Sequence, residues 1–310
     1  MVRVLAHNGD EPNGESAHPS ISGDGKYIAF ESKASNLVGD DTNGNPDIFI
    51  ADRTTGKVVK RIVAIDGSQP RCGSGSPSIS RDGNFVAFTS SDRFSTPGHM
   101  EYGLQQCVLV ADVRSGRVVR RIMTSTGDET KSFCWNPSLS GDGAFVAFES
   151  KADNLVGGDT NNTIDVFVGD TSTGRVVIRF MSTEIDQSEA ASFNPSMSAD
   201  GRYVAFQTFG HADNMDVREI FIGERATGQV VTRIMTSAGD EPWNSSHTPS
   251  MGSVGRYVAF SSAASNLVSG DTNNKYDIFT GDRTTGRVVT RIMGANGDQP
   301  NGDSVNPSIN

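Results

Sequence analysis

Short apolar segments separated by glycine-containing turns recur along the whole chain. Their clearest marker is the motif P-S-[ILM], whose prolines lie 58, 60, 58, 54 and 58 residues apart at Pro19, Pro77, Pro137, Pro195, Pro249 and Pro307. After each of the first five come a tight turn, the segment [YF]-[IV]-A-F, a second apolar segment, a T-G or S-G turn, and V-V-x-R-[IF]. A period of this length indicates a solenoid, a propeller or another array of small units.

Each repeat predicts four antiparallel strands. The first carries P-S-[ILM], and a turn with Asp-Gly in four of the five copies leads into the second. The second strand is apolar on both faces and is predicted at residues 27–32, 85–90, 145–150, 203–208 and 257–262. The third begins at Asp47, Cys107, Asp165, Glu219 or Asp277, and the fourth is exemplified by residues 58–63. Stacking such units radially covers both faces, so we expect an all-β propeller with five four-stranded blades.

The two ends of the chain resemble each other. Residues 2–22 nearly repeat as residues 290–310, so the fourth and first strands occur six times and the others five times. We expect one propeller domain over residues 1–310, with repeats at about 18–76, 77–136, 137–194, 195–248 and 249–306, and with 1–17 and 307–310 as the terminal strands that close the ring. A six-bladed ring with a partial blade from the termini is the alternative. The surplus strand could also pair with another subunit.

The repeat also resembles a known family. P-S-[IM]-S-x-D-G-[KR]-Y-[IV]-A-F followed by D-[IV]-F-[IVT]-x-D-x-x-T-G-x-V is similar to the repeat of TolB-like, or PD40 (WD40-like), β-propellers, over essentially the whole chain. The longer form S-N-L-V-x-x-D-T-N-x-x-x-D-[IV]-F resembles the propeller repeats of many bacterial secreted or cell-surface proteins. The resemblance implies the fold and a periplasmic or extracellular location. It does not imply one function, because such propellers serve both as binding platforms and as accessory domains of enzymes.

The motif D-T-N-x-x-x-D is the strongest candidate for a chemical site. It occurs between the second and third strands of the first, third and fifth repeats, and its proposed metal ligands are Asp41, Asn43, Asn45 and Asp47, then Asp159, Asn161 and Asp165, then Asp271, Asn273 and Asp277. Carboxylate and amide oxygens at this spacing resemble the opening of a calcium-binding loop, so we expect Ca²⁺. The glycine and the final glutamate of such a loop are missing, and Asx-turns that hold a long loop are the alternative. The fourth repeat keeps only a degraded form at Asp213, Asn214 and Asp216.

Composition limits the functional classes. The net charge of −10 and the pI near 5.0 argue against a nucleic-acid partner, which needs a basic patch. No apolar run approaches the ~20 residues of a membrane span, and the first residues lack the apolar core of a signal peptide. Cys72, Cys107 and Cys134 fall in segments that are predicted to lie on the same side of the propeller, but the sequence does not determine their pairing. Familiar nucleophile, zinc and phosphate-binding motifs are absent.

The loops between the second and third strands and the segments between repeats are predicted to share one rim, which is where binding residues concentrate. We therefore expect a calcium-binding propeller that binds a protein or carbohydrate ligand on this rim and is not an enzyme. A glycoside hydrolase or lyase that uses rim carboxylates is the first alternative. A structural protein that self-assembles through its terminal strands is the second.

Overall fold

The computed structural model describes residues 3–91, 106–181, 191–209 and 217–309. Within these ranges the chain forms five four-stranded sheets, here called blades 1 to 5. Blade 1 contains β1 Ser16–Ile21, β2 Tyr27–Ser32, β3 Asp47–Asp52 and β4 Lys57–Arg61. Blade 2 contains β5 Ser74–Ile79, β6 Phe85–Ser90, β7 Cys107–Asp112 and β8 Arg117–Arg121. Blade 3 contains β9 Cys134–Leu139, β10 Phe145–Ser150, β11 Asp165–Asp170 and β12 Arg175–Arg179.

The last two blades have the same organisation. Blade 4 contains β13 Ser192–Met197, β14 Tyr203–Phe209, β15 Arg218–Glu224 and β16 Gln229–Arg233. Blade 5 contains β17 Ser246–Met251, β18 Tyr257–Ser262, β19 Asp277–Asp282 and β20 Arg287–Arg291. In every blade, strands that are adjacent in sequence pair with each other antiparallel. The four-strand prediction is confirmed for each repeat. β14 and β15 extend one residue beyond the expected limits, and β4 covers residues 57–61 instead of the expected 58–63.

Short polar motifs form the tight turns of each blade. In blade 1 the Asp24 carboxylate accepts hydrogen bonds from the Ser22 hydroxyl at 2.6 Å and the Lys26 amide at 2.9 Å. Gly25 follows at φ 68°, a conformation that glycine adopts without a steric penalty. At the other hairpin Asp52 accepts from the Thr54 amide at 2.7 Å. The turns therefore depend on aspartate for hydrogen bonds and on glycine for backbone geometry.

Each first strand contains a bulge immediately before its proline. The register between the first and second strands shifts at this point in every blade. The residue before the proline has a positive φ of 48–52° in all five blades, at His18, Ser76, Asn136, Asn194 and Thr248. This conformation is uncommon outside glycine and is an outlier for a β-branched residue. The bulge is thus a repeated feature of the blade, and its cost in backbone strain must be offset by packing.

The core consists of the inward side chains of the middle strands. Phe30 and Phe49 stack in blade 1 with ring centroids 5.9 Å apart, and Phe260 and Phe279 do the same in blade 5. Adjacent blades pack where a large side chain at the end of a fourth strand meets a small residue of the next third strand. Ile122 lies 2.8 Å from the point that a β-carbon on Gly169 would occupy. A larger residue there would push the two blades apart.

The chain divides into two compact units, residues 1–157 with 169–177 and residues 158–168 with 178–310. The assignment of residues 1–310 to a single domain stays a prediction. Among the described residues there is no helix that is long and apolar enough to cross a membrane.

Candidate functional site

The long loops between the second and third strands of blades 1, 3 and 5 are the residues 33–46, 151–164 and 263–276. In blade 1 this loop contacts the inter-blade segments on both of its sides. The Asn36 side chain donates to the Glu11 carbonyl at 2.7 Å and accepts from the Asn13 amide at 3.0 Å. Farther along, Asn43 donates to the Pro70 carbonyl at 2.9 Å. The expected shared rim is therefore present within blade 1 and its flanking segments.

Blades 3 and 5 repeat the first of these clamps. Asn154 donates to the Glu129 carbonyl at 2.8 Å, and Asn266 donates to the Glu241 carbonyl at 2.7 Å. The same asparagines accept the backbone amides of Lys131 and Trp243, each at 3.0 Å. Because each asparagine bonds two points of one segment, it fixes the conformation of that segment, and the S-N-L part of the repeat has a structural role.

The carboxylates of D-T-N-x-x-x-D surround a buried arginine at the end of the fourth strand. Arg179 lies 2.9 Å from Asp159 and 3.1 Å from Asp165. In blade 5 Arg291 lies 3.0 Å from Asp271 and 3.4 Å from Asp277. All six of these side chains and their blade 1 counterparts, Asp41, Asp47 and Arg61, are buried. In blade 1 the Arg61 guanidinium lies 3.7 Å from Asp41 and 3.8 Å from Asp47, and the exposed Asp40 lies 3.1 Å away.

Two buried carboxylates beside one guanidinium leave an excess negative charge. Desolvation accordingly raises the pKa of Asp47 to about 7 and that of Asp165 to about 6, and the neighbouring aspartate adds to the rise in each case. The pKa of Asp277 is raised by the same causes. The arginine opposes all three shifts. Each cluster therefore favours uptake of a proton or of a second positive charge.

The asparagines of the motif form the Asx-turns that were the alternative to metal binding. Asn43, Asn161 and Asn273 accept the backbone amides two residues ahead at 2.8, 3.2 and 3.0 Å. Calcium needs six to eight oxygen ligands, and the described residues hold no group of three acidic, histidine or cysteine side chains arranged for a metal. Asp277 Oδ1, in contrast, is buried without a hydrogen-bond partner in the described part of the chain. The donor set as it stands fits a guanidinium better than a calcium ion, and calcium binding stays a prediction.

In the second and fourth blades, the arginine at the end of the fourth strand pairs with a glutamate. Arg121 and Arg233 lie 3.2 and 3.1 Å from the glutamates eight residues ahead, Glu129 and Glu241. Arg233 also pairs with Glu219, which begins the third strand where other blades have aspartate. Arg3, ahead of blade 1, pairs with Glu11 at the same spacing. The long loops of these two blades, with Asp213, Asn214 and Asp216, lie outside the described residues.

Blades with D-T-N-x-x-x-D carry glutamine at the position eight residues after the arginine, as Gln69 and Gln299 show. Gln69 donates to Asp41 at 2.9 Å, so it supports a loop acid instead of being one. The acid partners of the repeat arginine therefore alternate from blade to blade. The sequence signal for this role is the arginine of V-V-x-R, which recurs in all five repeats.

Comparison with known proteins supports the fold. No family model matches the sequence, and no curated protein matches it. TolB from Acinetobacter baumannii superposes with a TM-score of 0.51 and 20% identity, over 95% of this chain and 57% of that chain. The putative TolB from Agrobacterium tumefaciens gives 0.51 and 18% over 94% and 85% of the two chains. A puromycin-hydrolyzing peptidase from Mycobacterium tuberculosis gives 0.53 and 15% over 93% and 39%. The chain has a TolB-like β-propeller fold.

The propeller assignment and the five blades are thus confirmed, while the identities are too low to transfer a function. The chain spans less than two thirds of the length of the Acinetobacter protein.

The propeller displays aromatic side chains on two of its inter-blade segments. Trp243, ahead of blade 5, is 75% exposed although its backbone amide is held by Asn266. Ahead of blade 3, Phe133 is also exposed and stacks on the half-buried Trp135 with centroids 6.0 Å apart. Trp243 is therefore a surface side chain and is not buried between blades. An exposed tryptophan on a fixed backbone is a feature of binding surfaces.

The three cysteines, all within the described residues, form no disulfide. Cys107 and Cys134 are buried at the first positions of β7 and β9, whereas Cys72 is partly exposed. Burial raises the pKa of the Cys134 thiol to about 12, and neighbouring Cys107 adds to the rise. The Cys134 thiol is therefore protonated and unreactive at neutral pH.

Proposed function

We propose that this propeller is a non-enzymatic binding module that takes up a neutral carbohydrate through its long-loop rim. The exposed Trp243 carries this proposal. An indole face stacks on the apolar face of a sugar ring, and the amide and carboxylate groups of Asn244 and Glu241 beside it are suited to hydrogen bonds with hydroxyls. The Asn266 clamp lowers the entropic cost of binding because the segment is already ordered.

Tryptophan fluorescence tests the proposal. The probes are soluble oligosaccharides of the glucan, xylan and chitin types. We expect at least one to change the emission with saturation, and Trp243→Ala to remove the response. Trp135→Phe is the matched control and should keep it, because Trp135 is half-buried against Phe133. A protein that responds to no glycan, or a Trp243→Ala variant that binds as well as the wild type, overturns the carbohydrate proposal and leaves a protein ligand as the alternative.

The enzyme alternative has weaker support. The six aspartates of the D-T-N-x-x-x-D motifs pair with arginine or asparagine side chains, so they are already used as structural partners. One structural neighbour is a puromycin-hydrolyzing peptidase, but this chain corresponds to only 39% of it. Hydrolysis of the bound oligosaccharide under the conditions of the fluorescence test would favour the enzyme alternative.

Calcium at the long loops is a separate proposal, supported by the excess negative charge of each cluster. A ligand that binds only the folded state raises the melting temperature. The melt is measured in calcium and in EDTA, for the wild type and for Arg61→Gln, which removes the competing guanidinium from blade 1. A midpoint that calcium raises, and raises further in Arg61→Gln, supports the site. Equal midpoints in calcium and EDTA for both proteins overturn it.

We extend the proposal to a location outside the cytoplasm, which the resemblance to repeats of secreted proteins supports. Fractionation of cells that express the natural gene tests this, and recovery only with the cytoplasm contradicts it.

A further inference from the structure

The first residue of a third strand lies beside the first residue of the next blade's first strand, and in the second repeat both residues are cysteine. The Cys134 amide, at the start of β9, donates to the Gln106 carbonyl at 3.0 Å, and Gln106 directly precedes Cys107 at the start of β7. The same bond joins Ser74 to Pro46 at 2.7 Å one junction earlier. The contact between these two positions is therefore a repeated feature, and it does not depend on which residues occupy it.

The other four repeats carry an acid and a serine at this pair of positions, always 27 residues apart. The pairs are Asp47 and Ser74, Asp165 and Ser192, Glu219 and Ser246, and Asp277 and Ser304. The second repeat changes both members at once, to Cys107 and Cys134. The chain contains only three cysteines, and two of them fall on positions that contact each other. This double change indicates that the two cysteines act as a pair.

The backbone holds the two cysteines at a separation that a disulfide spans. A carbonyl oxygen and an amide nitrogen each lie within about 3 Å of the adjacent α-carbon, so the bond from Cys134 to Gln106 keeps the α-carbons of Cys107 and Cys134 within about 7 Å. Disulfide-linked α-carbons lie roughly 4.4–6.8 Å apart. Both side chains are buried, with 1% and 2% exposure. Next to burial, the neighbouring Cys107 thiol is a cause of the raised pKa of Cys134, so the two sulfur atoms are close.

Cys72 belongs to a different junction. The segment that contains it is bonded to blade 1, since the Asn45 side chain donates to the Arg71 carbonyl at 3.1 Å. In blade 2, β6 separates β5 from β7, which places the start of β5 about 9–10 Å from Cys107. This distance exceeds the roughly 7 Å that a disulfide can bridge without backbone movement. Of the bridges open to Cys107, the geometry selects the one to Cys134.

Burial determines when such a bond can form. In the folded chain the pKa of Cys134 is raised to about 12, whereas thiol–disulfide exchange requires an accessible thiolate. In the unfolded chain both thiols are exposed and ionise near the ordinary pKa of about 8.5. One cysteine thiolate then attacks a small disulfide such as oxidised glutathione and releases one glutathione, and the second cysteine attacks the mixed disulfide and releases the other. The two protons and two electrons lost by the cysteine thiols end on the two glutathione molecules.

We propose that this chain, when it folds in the presence of a small disulfide oxidant, acquires a disulfide between Cys107 and Cys134 that joins β7 to β9. The structure described above is its reduced form. The covalent link lies at a junction where the third strand supplies no carboxylate to Arg121, which pairs with Glu129 instead. Such a bond persists in an oxidising compartment. It involves neither Trp243 nor the residues beside it, so it does not rest on the carbohydrate proposal.

Refolding from denaturant in a mixture of oxidised and reduced glutathione tests the proposal. Remaining thiols are blocked in denaturant, and the chain is digested without reductant for mass spectrometry. We expect the peptides of Cys107 and Cys134 to be linked to each other and the peptide of Cys72 to lie outside the link. Because the link closes a loop of about 27 residues, the oxidised chain should melt about 5 °C above the chain refolded in reductant.

Cys134→Ser is the matched variant, because serine is the residue that the other four repeats have at this position. It should keep the wild-type circular dichroism, form no internal disulfide, and melt at the same temperature after either refolding. Cys72→Ser should keep both the link and the higher melting temperature. Cys107 and Cys134 recovered as free thiols after oxidative refolding overturn the proposal. So do bridges to Cys72 in equal yield, or a linked chain that melts no higher than the reduced one.

Discussion

The titration of Asp47 gives the sharpest test of the buried acid clusters. Desolvation raises its pKa to about 7 from the ordinary 3.8, and Asp41 adds to the rise while Asn43 and Arg61 oppose it. The folded chain therefore binds the proton more tightly than the unfolded chain between pH 3.8 and about 7. Stability from this group is greatest at low pH, is lost as the pH rises through that window, and is constant above it.

Replacement of Asp47 with asparagine removes this titration. A shift of about three pKa units corresponds to about 4 kcal/mol, of which about 3 kcal/mol falls between pH 5 and pH 8. The free energy of unfolding of the variant, relative to the wild type, should therefore increase by about 3 kcal/mol over this range. Asp165 and His247, whose pKa values are also shifted, are present in both proteins and cancel. Arg61 keeps Asp40 and Asp41 as partners.

The assay is urea denaturation followed by circular dichroism at pH 5, 6, 7 and 8, with the slope of the transition required to stay constant. Asp52→Asn is the control. The pKa of Asp52 is lowered by hydrogen bonds from the turn, so its titration lies below this range and the variant should differ from the wild type by the same amount at every pH. An Asp47→Asn variant that behaves like this control would refute the reasoning.

Three further predictions concern strain, thiols and packing. Thr248→Asn should raise the free energy of unfolding by about 1 kcal/mol, because Asn136 holds the same positive φ at less cost; a loss of stability in urea denaturation would contradict this. In a thiol-reagent titration of the reduced native protein only Cys72 should react rapidly, and all three cysteines should react in denaturant; rapid reaction of more than one contradicts the burial of the other two. Phe49→Ala should cost about 3–5 kcal/mol and the exposed Val59→Ala under about 0.5, and similar losses would contradict the assigned core.

The fold was predictable because its determinants are local. The Asp24-Gly25 turn and the apolar residues of β2 specify a hairpin without reference to distant parts of the chain. The repeat then also predicts how the sheets pack, because a sheet that is apolar on both faces can be covered by copies of itself. The bulge at Thr248 could not be predicted, because no residue type with a preference for positive φ marks that position in every repeat.

The chemistry of the long loops was predictable only in part. The spacing of Asp159, Asn161 and Asp165 correctly indicated carboxylates that converge, and it left calcium and Asx-turns open. The missing element was Arg179, which lies 14 residues after Asp165 on another strand and supplies a positive charge from within the chain. The D-T-N motif contains its own carboxylates, but the arginine that balances their charge lies outside the motif. Its position becomes known only when the pairing of the third and fourth strands across their turn is known.

The alternation of acid partners connects these observations. The arginine of V-V-x-R is present in every blade, so each junction has the same positive charge to satisfy. Arg179 takes loop aspartates, and Arg121 takes the glutamate of the following segment. A buried arginine without an acid partner would be strongly destabilising. Where the long loop has no aspartates, another segment must therefore supply the carboxylate. The D-T-N motif and the G-D-E segments therefore both supply acid partners to the repeat arginine, and this pairing explains why acidic residues recur in them, without a bound ligand. Trp243 has no role in balancing the charge of the arginine. Unlike the acidic motifs, it is therefore available for binding.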